Sequence, residues 1–237
     1  MHLPPVTITQ KLTHIYNLLL KRLGPQHWWP GETPFEVCVG AILTQNTNWQ
    51  NVEKALANLK REKLLSPRSL HRLPKEELAR LIKPSGYFNI KAERLRHFLK
   101  FLVEDNQGSL KRVFAGELPE IRKKLLEVKG IGPETADSMI LYAGEQPIFV
   151  IDAYTKRIFS RLGLCKEDVS YHDLQSFFMN SLSHDTALYN EYHALLVMLG
   201  KDTCKPRPRC EGCPLEKICA SSKKFSHAKL AKNAKGT

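Results

Sequence analysis

No run of apolar residues in this chain of 237 approaches the roughly 20 needed to cross a bilayer. The opening Met1-His2-Leu3-Pro4-Pro5 lacks the charged and apolar regions of a secretion signal. Both absences point to a cytosolic protein with no membrane partner. Alternating strand runs bounded by hairpin turns are missing too. The only extended apolar stretch, Ile148 to Ile151, is too short and solitary to build a sheet. No repeat of fixed period is found. Acidic residues are scarce, 24 against 36 basic, a formal charge of +12. Such an excess suits a polyanionic partner, nucleic acid above all. The six cysteines of a cytosolic chain are reduced thiols, so a cluster of them reads as a metal site rather than a disulfide framework.

What remains is helical periodicity. Ile8, Leu12, Ile15 and Leu19 recur on one face, with Thr7 and Gln10 as a capping box and Gly24 as the stop. Thr33, Pro34 and Glu36 predict a second capping box, opening a helix that buries Phe35, Val39, Ile42 and Leu43. Further stripes are Trp49/Val52/Leu56/Leu59, Leu78/Leu81/Ile82 and Leu95/Phe98/Leu99/Leu102. Ser66-Pro67 and Leu118-Pro119 read as helix starts. The expected fold is all-α, built of many short helices. Residues 221–237, with five lysines, read as a disordered basic tail.

Three constellations carry chemistry. Leu118/Ile121/Leu125/Val128 and Ala136/Met139/Ile140/Ala143 mark two helices joined by Lys129-Gly130-Ile131-Gly132-Pro133. Two glycines permit a tight turn with exposed amides, and proline suits the first helical position. Gly130, Ile131 and Gly132 would then present backbone N–H groups and a positive helix end to a phosphate, gripping DNA without reading its sequence. Next, Asp152 precedes the stripe Tyr154/Ile158/Leu162, and spacing alone makes it a helix N-cap. Finally, Cys204, Cys210, Cys213 and Cys219 crowd four thiols into one loop. That spacing admits zinc or a [4Fe–4S] cluster. Cys38 and Cys165 sit among apolar residues and read as buried thiols.

The longer pattern Leu-x-x-Val-Lys-Gly-Ile-Gly-Pro-x-Thr-Ala-Asp, followed by Val150-Ile151-Asp152-Ala153-Tyr154 and the cysteine loop, resembles the helix–hairpin–helix DNA glycosylases of the endonuclease III superfamily. The resemblance spans roughly residues 7–219. It implies two helical domains with a DNA-binding cleft between them: a cluster-bearing domain of residues 1–34 plus 148–220, and a six-helix domain of 35–147 holding the hairpin. It implies a monomer acting on double-stranded DNA that contains a damaged base, nucleoid-associated if the cell is bacterial.

The same resemblance makes Asp152 the catalytic carboxylate, since cleavage of an N-glycosidic bond builds positive charge on the sugar. The lysine of the lyase-competent members is replaced here by Glu134, which implies water as nucleophile. The resemblance favours a [4Fe–4S] cluster on the four cysteines, although the first gap is one residue shorter than usual. Lys205, Arg207 and Arg209 in that loop would face DNA phosphates. Gln45, in Leu43-Thr44-Gln45-Asn46, matches the side chain that fills the gap left by a flipped base. Tyr87 matches the wedge beside the orphan base. Trp28-Trp29-Pro30 and Trp49 resemble the branch known as 3-methyladenine DNA glycosylase III, and imply a base pocket of Trp29, Trp49 and Glu134 for an alkylated purine.

Overall fold

The computed structural model describes residues 6–29 and 31–222, and the described residues are helical with no strand. Beyond Ser222 the expected basic tail lies outside the described residues. The chain divides into two compact units: the first 28 residues with those from Phe149 onward, and Trp29–Ile148.

In the first unit, α1 (Ile8–Leu23) starts at Thr7, whose side chain accepts from Gln10 N while Gln10 Oε1 accepts from Thr7 N. Gly24 ends it. Leu12, Ile15 and Leu19 are buried, but Ile8 is 40% exposed, so the apolar stripe begins one turn later than its spacing suggests. A first-turn side chain has no preceding turn to pack under.

The second unit is built around α2 (Pro34–Leu43), in which every residue from Phe35 to Leu43 is buried. A helix apolar on all faces can only be a central one. Thr33 caps it, accepting from Glu36 N. The reciprocal half of the expected capping box is missing. Glu36 accepts instead from Glu32 N and pairs with Lys60 at 2.8 Å. Around α2 come α3 (Trp49–Arg61), α4 (Pro67–Arg72), α5 (Lys75–Leu81), α6 (Phe88–Lys100), α7 (Leu110–Val113), α8 (Leu118–Glu127) and α9 (Pro133–Ser138). Both α6 and α9 run on into a π turn, Phe101–Asp105 and Met139–Ala143. The short α4 and α7, of six and four residues, bring the number of α segments above the six expected.

The first unit resumes at Phe149 and adds α10 (Ala153–Leu162), α11 (Tyr171–Met179) and α12 (Thr186–Asp202). Helix α1 packs on α12, where Tyr192 Oη donates to Leu12 O. Phe149 stacks on Phe178, with ring centroids 3.9 Å apart, and Tyr189 and Tyr192 close around it. The extended stretch 149–151 has no neighbouring strand, so side chains of α11 satisfy its backbone. Gln175 Nε2 donates to Phe149 O, and Ile151 N donates to Tyr171 Oη. This anchoring fixes where the next residue, Asp152, points.

Candidate active site and nucleic-acid interface

Asp152 does cap α10. Its Oδ1 accepts from Thr155 N at 2.7 Å and from Thr155 Oγ1 at 2.8 Å. The cap uses one oxygen only. Oδ2 faces Nε2 of His193 on α12 at 3.7 Å, an electrostatic contact longer than a hydrogen bond. Both side chains are nearly buried. Burial pushes the Asp152 pKa up, but His193 and the two Thr155 donors outweigh burial and hold the carboxyl below the ordinary aspartate value. A lowered carboxylate pKa stabilises the fold above the unfolded value and loses that contribution as pH falls through the folded one. A single-turnover pH profile is therefore expected to show no limb from Asp152 above about pH 4. An Asp152 carboxyl carbon that titrates above that pH in the NMR spectrum of the wild-type protein would contradict an aspartate held ionised.

His193 escaped the sequence reading, which found no motif around it. The available signal was a single histidine inside the otherwise apolar run Tyr192 to Leu196.

The hairpin joins α8 to α9. Gly130 has φ +92°, and a Cβ there would lie 2.4 Å from Arg94 Cγ, so glycine is required twice over. Gly132 differs. Its φ of −96° suits any residue, and a Cβ would meet nothing within 4 Å. No protein atom accounts for glycine at 132, and that side is open to solvent. Ile131 is buried beneath the turn. Arg122 on α8 holds the fully buried Asp137 of α9 through both carboxylate oxygens, at 2.7 and 3.2 Å. The pair locks the two helices at the hairpin's base.

Gln45, just beyond α2, lies on the hairpin: its Nε2 donates to Thr135 Oγ1 at 2.9 Å and to Gly130 O at 3.3 Å, and Arg94 donates to its Oε1. Tyr87 is the N-cap of α6 in the left-handed region (φ 46°, ψ 33°), and is 69% exposed. A large aromatic is thus held in solvent at a sparsely populated backbone conformation.

Trp29 contacts Trp49 edge to face at 5.2 Å and lies 4.9 Å from Tyr142. Rings touching edge to face leave no slot for a base between this pair. The buried Trp49 Nε1 has no hydrogen-bond partner among the described residues. A hollow of about 450 Å³ adjoins both tryptophans and carries Glu32, Glu36 and Glu53 against Lys60. Glu134 is exposed in the first turn of α9, away from this hollow's lining.

The cysteine loop follows α12. Arg161 on α10 grips it, donating to Cys204 Sγ at 3.3 Å, to Lys205 O at 2.6 Å and to Pro206 O at 2.9 Å. Arg157 donates to Cys204 O and Gly200 O. Arg207 and Arg209 are exposed, and Lys205 is half-buried. All four loop cysteines are half-buried free thiols; Cys38 is buried, but Cys165 is half-buried rather than buried. Cys213 is pushed up to about 11 by burial, with Cys204, Cys210 and Cys219 adding to the effect. Cys210 is raised as well, by burial first and then by Cys219 and Cys204; thiols this close together fit a metal centre that would take their charge. No group of three or more His, Cys, Asp or Glu among the described residues is arranged to hold a single metal ion.

Residues 39–184 match the model of the HhH-GPD superfamily of base excision DNA repair proteins, and the chain belongs to that superfamily. It is a base-excision DNA glycosylase of the endonuclease III family. A protein of Methanocaldococcus jannaschii assigned provisionally to the DNA repair glycosylases is 45% identical over 87% of this chain and 94% of its own. Endonuclease III of Thermotoga maritima is 31% identical over 78% of this chain and 82% of its own. Among solved structures, an endonuclease III–DNA complex shares the fold, with a TM-score of 0.79 at 24% identity over 92% of this chain and 98% of that one. The H. pylori 3-methyladenine DNA glycosylase bound to 1,N6-ethenoadenine gives a TM-score of 0.69 at 30% identity, over 82% of this chain and 97% of that one.

Proposed function

We propose that this glycosylase releases alkylated purines such as 3-methyladenine from duplex DNA, with water as nucleophile and Asp152 as its catalytic carboxylate. The observation that carries the reading is the division of labour at Asp152: Oδ1 is spent on the helix cap, while Oδ2, held ionised, is not used by it. As the base departs with the bonding electrons, C1′ of the sugar becomes cationic. A carboxylate fixed beforehand stabilises that charge and orients the attacking water. His193 and Thr155 hold the group in place. Gly130, Ile131 and Gly132 seat a phosphate on the N-terminal end of α9. The open side of Gly132 supports this, because a backbone that must approach a ligand closely is where glycine is needed with no protein neighbour. Gln45 and Tyr87 enter the duplex, and Lys205, Arg207 and Arg209 meet its backbone.

Cys204, Cys210, Cys213 and Cys219 would hold the [4Fe–4S] cluster, zinc being the lesser alternative. Bound there, the cluster would cross-link the loop that presents those three basic side chains. Trp29 and Trp49 both line the hollow beside them, which supports a reading in which they border an alkylated purine there rather than sandwich it. The acidic excess beside them suits a methylated, positively charged base. The relative solved with ethenoadenine points the same way.

The likeness to Thermotoga endonuclease III favours a second reading, oxidised pyrimidines as substrates with little lyase activity. Single-turnover release from alkylated DNA and from duplexes carrying thymine glycol separates the two. Release of 3-methyladenine is expected to be faster by about tenfold or more. Faster release of thymine glycol would transfer the assignment to the second reading. No release of either would leave a DNA-binding protein without catalysis.

A further inference from the structure

Lys91, in the first turn of α6, is 1% exposed, and a lysine is rarely buried so completely. Its Nζ donates to Leu43 O at 2.8 Å and to Ser85 O at 2.6 Å. Leu43 is the last residue of α2, and Ser85 closes the short turn that leads to α6. Leu43 lies two positions before Gln45, and Ser85 lies two positions before Tyr87. One ammonium therefore bridges the backbones of the two loops whose side chains are read as entering DNA.

The neighbouring contacts reinforce the bridge. Ser85 is fully buried and donates its hydroxyl to Ile82 O. One turn along α6, Arg94 holds Gln45 and packs against Gly130 of the hairpin. Burial, with Arg94 adding to it, pulls the Lys91 amine down to about 8. A charge is thus costly here, and a leucine at this point of the stripe would serve packing alone at less expense.

We infer that Lys91 is a positioning residue that sets the spacing of Gln45 and Tyr87, so that plug and wedge enter the duplex together. The inference rests on the reading of those two side chains as DNA-inserting. Holding both loops in register before contact lets binding energy go to base extrusion rather than to ordering the loops.

The test compares affinity for a duplex bearing a tetrahydrofuran abasic site with affinity for the undamaged duplex. Wild type, Lys91→Met, Lys91→Gln and the Gln45→Ala/Tyr87→Ala double variant are measured, with folding followed by circular dichroism. Lys91→Met is expected to cut the preference for the abasic duplex by about tenfold while leaving undamaged-duplex affinity unchanged. Lys91→Gln, which keeps N–H donors but cannot span both carbonyls, should do the same. Added to the Gln45→Ala/Tyr87→Ala background, Lys91→Met should cost less than about twofold more, since its effect runs through those side chains.

If both Lys91 variants keep the preference per folded molecule while the double variant loses it, Lys91 serves the fold alone and the inference is wrong. If the double variant itself keeps the preference, the reading of Gln45 and Tyr87 falls, and the inference falls with it.

Discussion

Replacing Asp152 by Asn is expected to slow single-turnover excision by about 10²–10³-fold while leaving affinity for an abasic duplex nearly unchanged and lowering the melting temperature only by the small contribution of the ionised carboxylate. The reasoning follows the two oxygens. Asparagine keeps an acceptor that can take Oδ1's place against Thr155 N and Thr155 Oγ1, and asparagine ranks with aspartate as an N-cap. The helix start should survive. What disappears is the negative charge facing His193 and, in the complex, the sugar. A merely structural cap would show the opposite pattern, with stability and binding falling together and chemistry per bound molecule intact. Asp152→Ala makes the contrast sharper, because it should add a loss of about 1 kcal/mol in stability to the same loss of rate.

The second large effect concerns the covalent route. On the proposed water mechanism, wild-type protein incubated with substrate duplex and borohydride should yield no trapped complex, because the resemblance sets Glu134 against the lysine of the lyase-competent members, and a carboxylate cannot form an imine. Glu134 is exposed on the first turn of α9, so a lysine would fit there without disturbing the core. Glu134→Lys should therefore fold normally and gain a trappable adduct. A trapped complex from wild type would identify another amine as nucleophile. Lys129, five residues earlier at the start of the hairpin and exposed, would be the first to replace.

Much of this was legible in the sequence because the signals are local. The stripes Leu12/Ile15/Leu19 and Leu95/Phe98/Leu99/Leu102 are buried as their spacing requires, and Asp152 caps the helix its position announces. The hairpin and the order of motifs carried the family. Contacts between residues distant in sequence stayed hidden. His193 reaches Asp152 only because α12 packs on α10, and Arg157 and Arg161 grip the cysteine loop by the same docking. Lys91 was readable in principle, for it falls one turn before Leu95 on the buried stripe, where a charged residue breaks the pattern. The Thr33 box was only half right, since Glu36 is drawn to Lys60 by charge rather than to its own helix start. Neither π turn leaves a mark in the apolar spacing.

The central claim is that the Asp152 carboxylate recognises positive charge on the sugar. It is tested most directly by comparing affinity for a duplex holding a cationic pyrrolidine abasic nucleotide with affinity for the neutral tetrahydrofuran equivalent. Wild type should prefer the cation by about tenfold or more, and Asp152→Asn should lose that preference while binding the neutral duplex as before. Equal affinity of wild type for both duplexes, or an undiminished preference in the asparagine variant, would contradict it.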